Sequence, residues 1–319
     1  MKSKNDGFFL GIDTSNYTTS VSIADYAGNI IANLKNPLPV KEGERGLRQS
    51  DAVFHHTKSL PLLMSEVRKY ISDNPILAVG VSARPTDRDG SYMPCFLAGV
   101  SAASGVGLGS DCPVFHFSHQ CGHIMAALYS SESLSLMNSP FAAFHVSGGT
   151  TDILYITPGE GEKPFLVERI GGTLDINAGQ AIDRAGVYMG IPFPAGPHLE
   201  AMARKYTGKL SGAKICVNGL SCNLSGLENK AIQMYDKGID ASCVSAFVID
   251  FISRTLRKLT ENLREQYPNL PVVYAGGVMS CSIIKNDLSR FGSFASPAFS
   301  ADNAAGTALL ARENFLHNI

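Results

Sequence analysis

Short apolar runs alternate along the chain with longer stretches whose apolar residues recur at helical spacing, the pattern of an α/β protein. Phe8 to Lys35, FFLGIDTSNYTTSVSIADYAGNIIANLK, reads as a strand, a loop of small polar residues, a second strand, a tight Gly turn and a third strand. Phe141 to Ile170, FAAFHVSGGTTDILYITPGEGEKPFLVERI, repeats that grammar in the second half of the chain. Between the repeats the pattern predicts a helix from Ala52 to Ile71, a buried strand from Leu77 to Ser82 and a small-residue helix beginning near Cys95. A strand from Val114 to Phe117 then leads into a helix beginning near Ser118. Beyond the second repeat, Phe247, Phe251, Leu256, Leu259 and Leu263 form a core-facing stripe on a helix ending near Tyr267. Pro271 to Ala275 reads as a buried strand, and Asn303 to Phe315 as a final helix.

Loops of Gly, Ser and Thr let backbone N–H groups and hydroxyls approach a phosphate closely, which bulkier side chains prevent. An ordered pair of such loops resembles the layout of the actin, sugar-kinase and heat-shock ATPase superfamily. That resemblance implies a two-lobed α/β fold with duplicated ribonuclease-H-like lobes and nucleotide bound between them. The expected division is an N-terminal lobe over 1–118 and a C-terminal lobe over 119–319, with the last helix able to pack back on the first lobe.

Composition narrows the class without naming it. A length of 319 residues is enough for two domains with their own cores. The 27 basic and 28 acidic residues nearly balance, so the whole chain has no electrostatic signature of nucleic-acid binding, although a local basic face remains open. Seven cysteines, odd in number and without paired CxxC spacing, suit reduced thiols in a cytoplasmic setting. The polar start MKSKNDG does not read as a signal peptide, and no apolar run approaches the roughly 20 residues that span a bilayer.

His119-Gln120-Cys121-Gly122-His123 is the sharpest chemical feature. On a helix, residues i and i+4 share a face, so both imidazoles can bind one metal ion, and an ordinary pair of hydrogen-bonded histidines has the same spacing. A zinc-protease reading fails on chemistry: it needs a Glu after the first His as general base, and that position is Gln120. Asp302, in FSADNAAGTALLA, is a candidate third ligand that could equally be an N-cap.

Eight ordered segments resemble the TsaD/Gcp family of tRNA threonylcarbamoyladenosine transferases over nearly the full length. They are GIDTSNYTTSVSIAD, VGVSARP, FSHQCGHIMAAL, HVSGGTTDIL, TLDINAGQAIDRAGVYMGIPFPAGP, NLSGL, AGGVMS and SADNAAG. The resemblance implies an acyltransferase with a divalent metal, iron or zinc, held by His119, His123 and Asp302. It implies contacts to ATP, ADP or an acyl-adenylate from His145, Val146, Ser147, Gly148, Gly149, Asp183, Gly196 and Cys281. Ser15 of the first loop and Gly277, after strand PVVYA, are further expected nucleotide contacts. The implied partners are tRNA and companion subunits of the same machinery, with no membrane. A further alternative is phosphoryl transfer by a kinase of the same superfamily, in which Asp13 is the residue to watch as a metal-binding or water-positioning acid, although it could instead be a strand-end cap.

Departures from the family pattern cluster at the chemistry. The Cys-Asp-Glu run of the first loop is Asn16-Tyr17-Thr18, SGGHT is SGGTT with Thr150 for the imidazole, and DDAAGEAFDK loses acidic groups at Ile176 and Gln180. Cys281 stands for the Asn of GGVAAN, Glu228 for the Lys after SGL, and Arg84 to Tyr92 for a Gly-rich loop. These changes predict a weakened hold on a charged adenylate. They leave open a divergent paralogue that binds nucleotide and metal but regulates, or serves another acceptor.

Overall fold

A computed structural model describes residues 7–15, 17–39, 47–210, 212–300 and 304–317. The first repeat forms β1 (Phe8–Asp13), β2 (Thr18–Asp25) and β3 (Ile30–Pro37), followed by α1 (Gln49–Ile71) and β4 (Ile76–Arg84). Then come α2 (Phe96–Ser110), β5 (Val114–Ser118) and α3 (His119–Ser130). The second repeat forms β6 (Phe141–Val146), β7 (Thr151–Glu160) and β8 (Lys163–Thr173). After it lie α4 (Ala178–Tyr188), α5 (Gly196–Ala203), β9 (Cys216–Asn218), β10 (Ser221–Asn223), α6 (Ser225–Asp236) and α7 (Ala241–Gln266). The chain closes with β11 (Val272–Ala275), α8 (Ser282–Leu288), β12 (Ser293–Phe294), α9 (Pro297–Ser300) and α10 (Ala305–His317). Each expected element is present, with ends shifted by a few residues; Asn303, the expected start of the last helix, lies outside the described residues.

Two compact units result. Unit 1 carries a sheet of order β3-β2-β1-β4-β5, in which β1 runs antiparallel to β2 and parallel to β4. Unit 2 carries the order β12-β11-β6-β7-β8-β10-β9, with β6 antiparallel to β7 and parallel to β11. Read from the hairpin outward, β8-β7-β6-β11-β12 repeats β3-β2-β1-β4-β5, so the grammar shared by the two sequence repeats extends to the strands that follow each. Strands β10 and β9 are additions at the outer edge of unit 2.

The division of the chain departs from the expected boundary at 118/119. Unit 1 extends to Tyr129 and takes in Pro158–Leu166 at the β7–β8 turn and the C-terminal segment with α10. The physical reason is close packing of small residues. A Cβ at Gly11 of β1 would collide with Ala304 O and Ala308 N, and one at Gly80 of β4 with Thr307 O, so bare glycines let α10 lie directly on the sheet. Gly306 meets Gly122 in the same way, which fastens α3 to α10 and hence to unit 1. In unit 2 the sequence-predicted stripe is core: Phe247, Leu259 and Leu263 of α7 are buried with Phe144 and Tyr274. The buried Tyr274 hydroxyl is satisfied by Thr260 Oγ1 at 2.8 Å.

Candidate functional site

The sequence-predicted residues fall into two constellations, one in each unit. In unit 1, β1 ends at Asp13, which is 1% exposed. Its Oδ1 accepts from the Ser15 backbone N–H at 2.7 Å, and its Oδ2 accepts from Ser82 Oγ at 2.6 Å and lies 2.7 Å from His119 Nδ1. Burial pushes this carboxyl up, but the His119 ring and the bonds from His119, Ser15 and Ser82 outweigh it and hold the group well below the usual carboxylate range. Asp13 is therefore an anchored carboxylate whose oxygens are already engaged.

That anchoring decides what His119 presents. With Nδ1–H donated to Asp13, the Nε2 lone pair points away from the carboxylate, and His123 Nε2 approaches it at 2.8 Å. The two Nε2 atoms face each other at hydrogen-bond distance, with one ring held by a carboxylate behind it, a pair that could hold a metal ion. Among the described residues no third His, Cys, Asp or Glu completes a cluster with them. Asp302, the third expected ligand, lies outside the described residues. Ser15 is buried, and its Oγ has no hydrogen-bond partner among the described residues.

Sequence reasoning missed the support beside α3. Arg84 Nε donates to Asp87 Oδ1 at 2.9 Å, Ser118 Oγ donates to Asp87 Oδ2 at 2.8 Å, and the Cys121 thiol lies 3.1 Å from that oxygen. Burial pushes the Cys121 thiol up to about 12, so it stays protonated. The charged loop that replaces the family's Gly-rich segment thus clamps the start of the histidine helix, and Gln120 N–H adds a bond to Pro85 O at 3.1 Å. The Asp87 carboxylate facing Arg84 was legible only as loop charge.

In unit 2, a cavity of about 390 Å³ is lined by Gly148, Asp183, Gly196, Gly277 and Cys281, together with Glu200 and apolar groups such as Ile249. These expected contacts come from the loop after β6, from α4, from the start of α5 and from the turn after β11. Gly179 lets them meet, since a Cβ there would collide with Gly148 and Ser147 O. Asp183 Oδ1 accepts from Ala195 N–H at 2.8 Å, and burial raises its carboxyl, an effect this bond only partly offsets. Burial, followed by the nearby Glu200, raises the Cys281 thiol.

Other expected contacts are placed differently. His145 and Val146 are paired strand residues of β6, and the Val146 side chain is buried in the core, so Val146 can offer only backbone. Ser147 is occupied in closing its own loop: its Oγ accepts from Gly149 N–H and Thr150 N–H and lies 2.8 Å from Thr150 Oγ1. The loop N–H of Gly149 is thereby folded inward, while Gly148 lines the cavity. Glu200, missed in the sequence, accepts from Ser282 N–H and Arg204 Nη2, both at 3.1 Å. Its burial raises the carboxyl, but Ser282 and Arg204 bring it below its ordinary value. Its spacing of four from Gly196 on α5 was the available signal.

The departures have acquired structural work. Thr150 ties the loop after β6 through Ser147, and Ile176 packs on the core. Gln180 Oε1 accepts from Asn177 N–H at 3.3 Å in a capping box at the start of α4. Gln180→Ala is expected to lower stability by about 1 kcal/mol, whereas Gln180→Glu keeps the box and leaves the denaturation midpoint nearly unchanged. Equal midpoints for both variants and the parent would remove the cap from the account.

A family model described as TsaD, tRNA N6-adenosine threonylcarbamoyltransferase, matches residues 30–309. A protein of that name from Streptococcus equi subsp. zooepidemicus (strain MGCS10565) is 26% identical over 300 residues, covering 89% of this chain and 83% of the relative. Another, from Archaeoglobus fulgidus, is 26% identical over 269 residues, covering 84% and 77%. Among solved structures, component A of (R)-2-hydroxyglutaryl-CoA dehydratase from Acidaminococcus fermentans superposes with a TM-score of 0.54 at 15% identity, over 97% of this chain and 99% of that one. Full-length HypF in its phosphate- and nucleotide-bound form gives 0.56 at 12% identity, over 100% and 56%. These likenesses bear on fold, which is that of the actin, sugar-kinase and heat-shock ATPase class.

Proposed function

We propose, for a chain that belongs to the TsaD family of tRNA N6-adenosine threonylcarbamoyltransferases, transfer of a threonylcarbamoyl or related acyl group from an adenylate to the N6 amine of a tRNA adenosine. The observation that carries this reading beyond the family is the unit 2 cavity, where residues from separate segments converge on chemistry suited to an adenosine phosphate. Asp183 accepts from ribose hydroxyls, and the bare backbone of Gly148 approaches phosphate. Gly277 leaves a surface without side chain against the base.

His119 and His123, whose Nε2 atoms face each other, would hold an iron or zinc ion, with Asp302 as the third ligand by family resemblance. Bound there, the metal supplies Lewis-acid polarisation of a carbonyl. Asp13 keeps the His119 ring in the tautomer whose Nε2 lone pair is available. In the transfer, N6 attacks the acyl carbon and a C–N bond forms. The bond from that carbon to the phosphate oxygen breaks, AMP leaves with the electron pair, and an amine proton passes to solvent. The setting is the cytoplasm, with the companion proteins of the threonylcarbamoyladenosine machinery; no described helix is long and apolar enough to cross a membrane.

The structural re-use of Thr150 and Gln180 favours one second reading, a family member that keeps nucleotide and metal but serves a different acceptor. Purified chain, adenylate donor, unmodified tRNA and companion proteins separate the two. Mass analysis of the tRNA nucleosides is expected to show a threonylcarbamoyl-adenosine, formed more slowly than by a family member with SGGHT and DDAAGEAFDK intact. Donor breakdown without a modified nucleoside supports the second reading. An inert mixture, in which the intact family member works, overturns both.

A further inference from the structure

Phe193 is an aromatic ring that the fold holds in solvent. It is 75% exposed, and it has no ring contact among the described residues. Tyr188 and Tyr235, also partly exposed, face each other edge to face, and the Tyr188 hydroxyl donates to Asp236. The segment around Phe193 is pinned on both sides. Ile191 N–H donates to Gly186 O at 2.9 Å, and Ala195 N–H to Asp183 Oδ1 at 2.8 Å, with Ala195 fully buried. Pro194, Gly196 and Pro197 line the cavity, and Phe193, next to Pro194 in the chain, does not. A pinned, solvated Phe contributes nothing to the core and presents a bare π-face on which a flat group can stack.

The charge beside it points to the occupant. From Ile191 to Lys214 the chain carries Lys205, Lys209 and Lys214, all exposed, beside an Arg204 paired with the one acid, Glu200, in a protein whose formal net charge is −1. Helix α5, eight residues long, separates Phe193 from Arg204 and Lys205 by about 12 Å of axial rise. An exposed ring followed by a run of cations is the arrangement that holds single-stranded nucleic acid, the base stacking on the ring and the backbone meeting the charges. Exposed lysines favour an anionic partner over an apolar one.

We propose that Phe193 is the stacking platform for an unpaired base of the acceptor RNA, and that Lys205, Lys209 and Lys214 meet its phosphates. This inference rests on the transferase reading above, with the donor's adenine inside the cavity and the acceptor's base outside it. Phe193 positions the acceptor and takes no part in bond making.

The chain has no tryptophan, so Phe193→Trp introduces a single tryptophan, selectively excited, at the position in question. Labelled, unmodified tRNA is titrated with the full-length chain, Phe193→Ala and Phe193→Trp, and ADP binding is measured in parallel. Phe193→Ala is expected to weaken tRNA binding roughly 5- to 150-fold with ADP affinity unchanged. Phe193→Trp is expected to bind tRNA like the parent, its emission quenched by tRNA and not by ADP. Undiminished tRNA binding by Phe193→Ala overturns the inference and leaves the transferase reading standing. Quenching by ADP alone also overturns it, by assigning the ring to the donor's base. If the parent binds ADP but no tRNA, the tRNA-acceptor reading falls and takes this inference with it.

Discussion

Asp13→Ala is expected to destabilise the chain by roughly 3–5 kcal/mol, because three groups lose their acceptor at a fully buried position. The Ser15 N–H, the Ser82 hydroxyl and the His119 Nδ1–H all converge on that carboxylate, and water has no ready access to replace it. Asp13→Asn fills the same space but turns an amide N–H toward donors, so it loses most of the same stabilisation. Iron or zinc affinity is expected to fall about 10- to 100-fold in whichever variant remains folded, since the His119 ring is no longer held in its tautomer and orientation. Denaturant midpoints and metal content after equilibration with a buffered metal pool measure the two effects separately. A stable Asp13→Asn protein that retains metal as tightly as the parent would show that Asp13 does not orient His119.

Asp183→Asn is expected to weaken ADP binding about 10- to 100-fold, the loss of a charged hydrogen bond worth roughly 1.5–3 kcal/mol to a ribose hydroxyl. The same change leaves the ligand-free fold as stable or slightly more stable, because Asn Oδ1 still accepts from Ala195 N–H while the burden of a half-buried charge is removed. Burial raises the carboxyl above its unfolded value, so its favourable contribution is fully present below the unfolded pKa and is lost as pH rises through the folded one. The parent-minus-variant stability difference should therefore shift against the parent as pH climbs out of the carboxylate range. Calorimetric titration with ADP and melting curves across pH test both halves. Unchanged ADP affinity would remove Asp183 from the nucleotide site, and a strongly destabilised variant would make its role structural.

Glu200 and Asp87 show why parts of the candidate site were not legible. In the sequence, Glu200 is one acid on an eight-residue helix and Asp87 one charge in a polar loop. Their meaning comes from partners far along the chain: Ser282 N–H on Glu200, and Ser118 and Cys121 on Asp87. Thr150 and Gln180 teach a related lesson. Set beside the family pattern they are losses of charge, yet one closes the loop after β6 and the other caps α4, functions that local hydrogen-bonding chemistry accounts for once the backbone is known.

What the amino-acid order determined by itself is local and periodic. Alternation and helical spacing specify the duplicated strand-loop-strand grammar, the apolar stripe of α7 and the placement of His119 and His123 on one helical face, because each depends only on residues a few positions apart. The ordered motifs also carried the family. Tertiary structure alone decided which acid stands behind His119, which unit owns α3 and which aromatic ring is left in water. Those outcomes depend on close approach between distant segments, as where Gly11 and Gly80 admit α10 to the sheet and Gly122 and Gly306 bring α3 against it. A glycine in the sequence announces that a backbone can come near; only the folded chain selects the backbone that does.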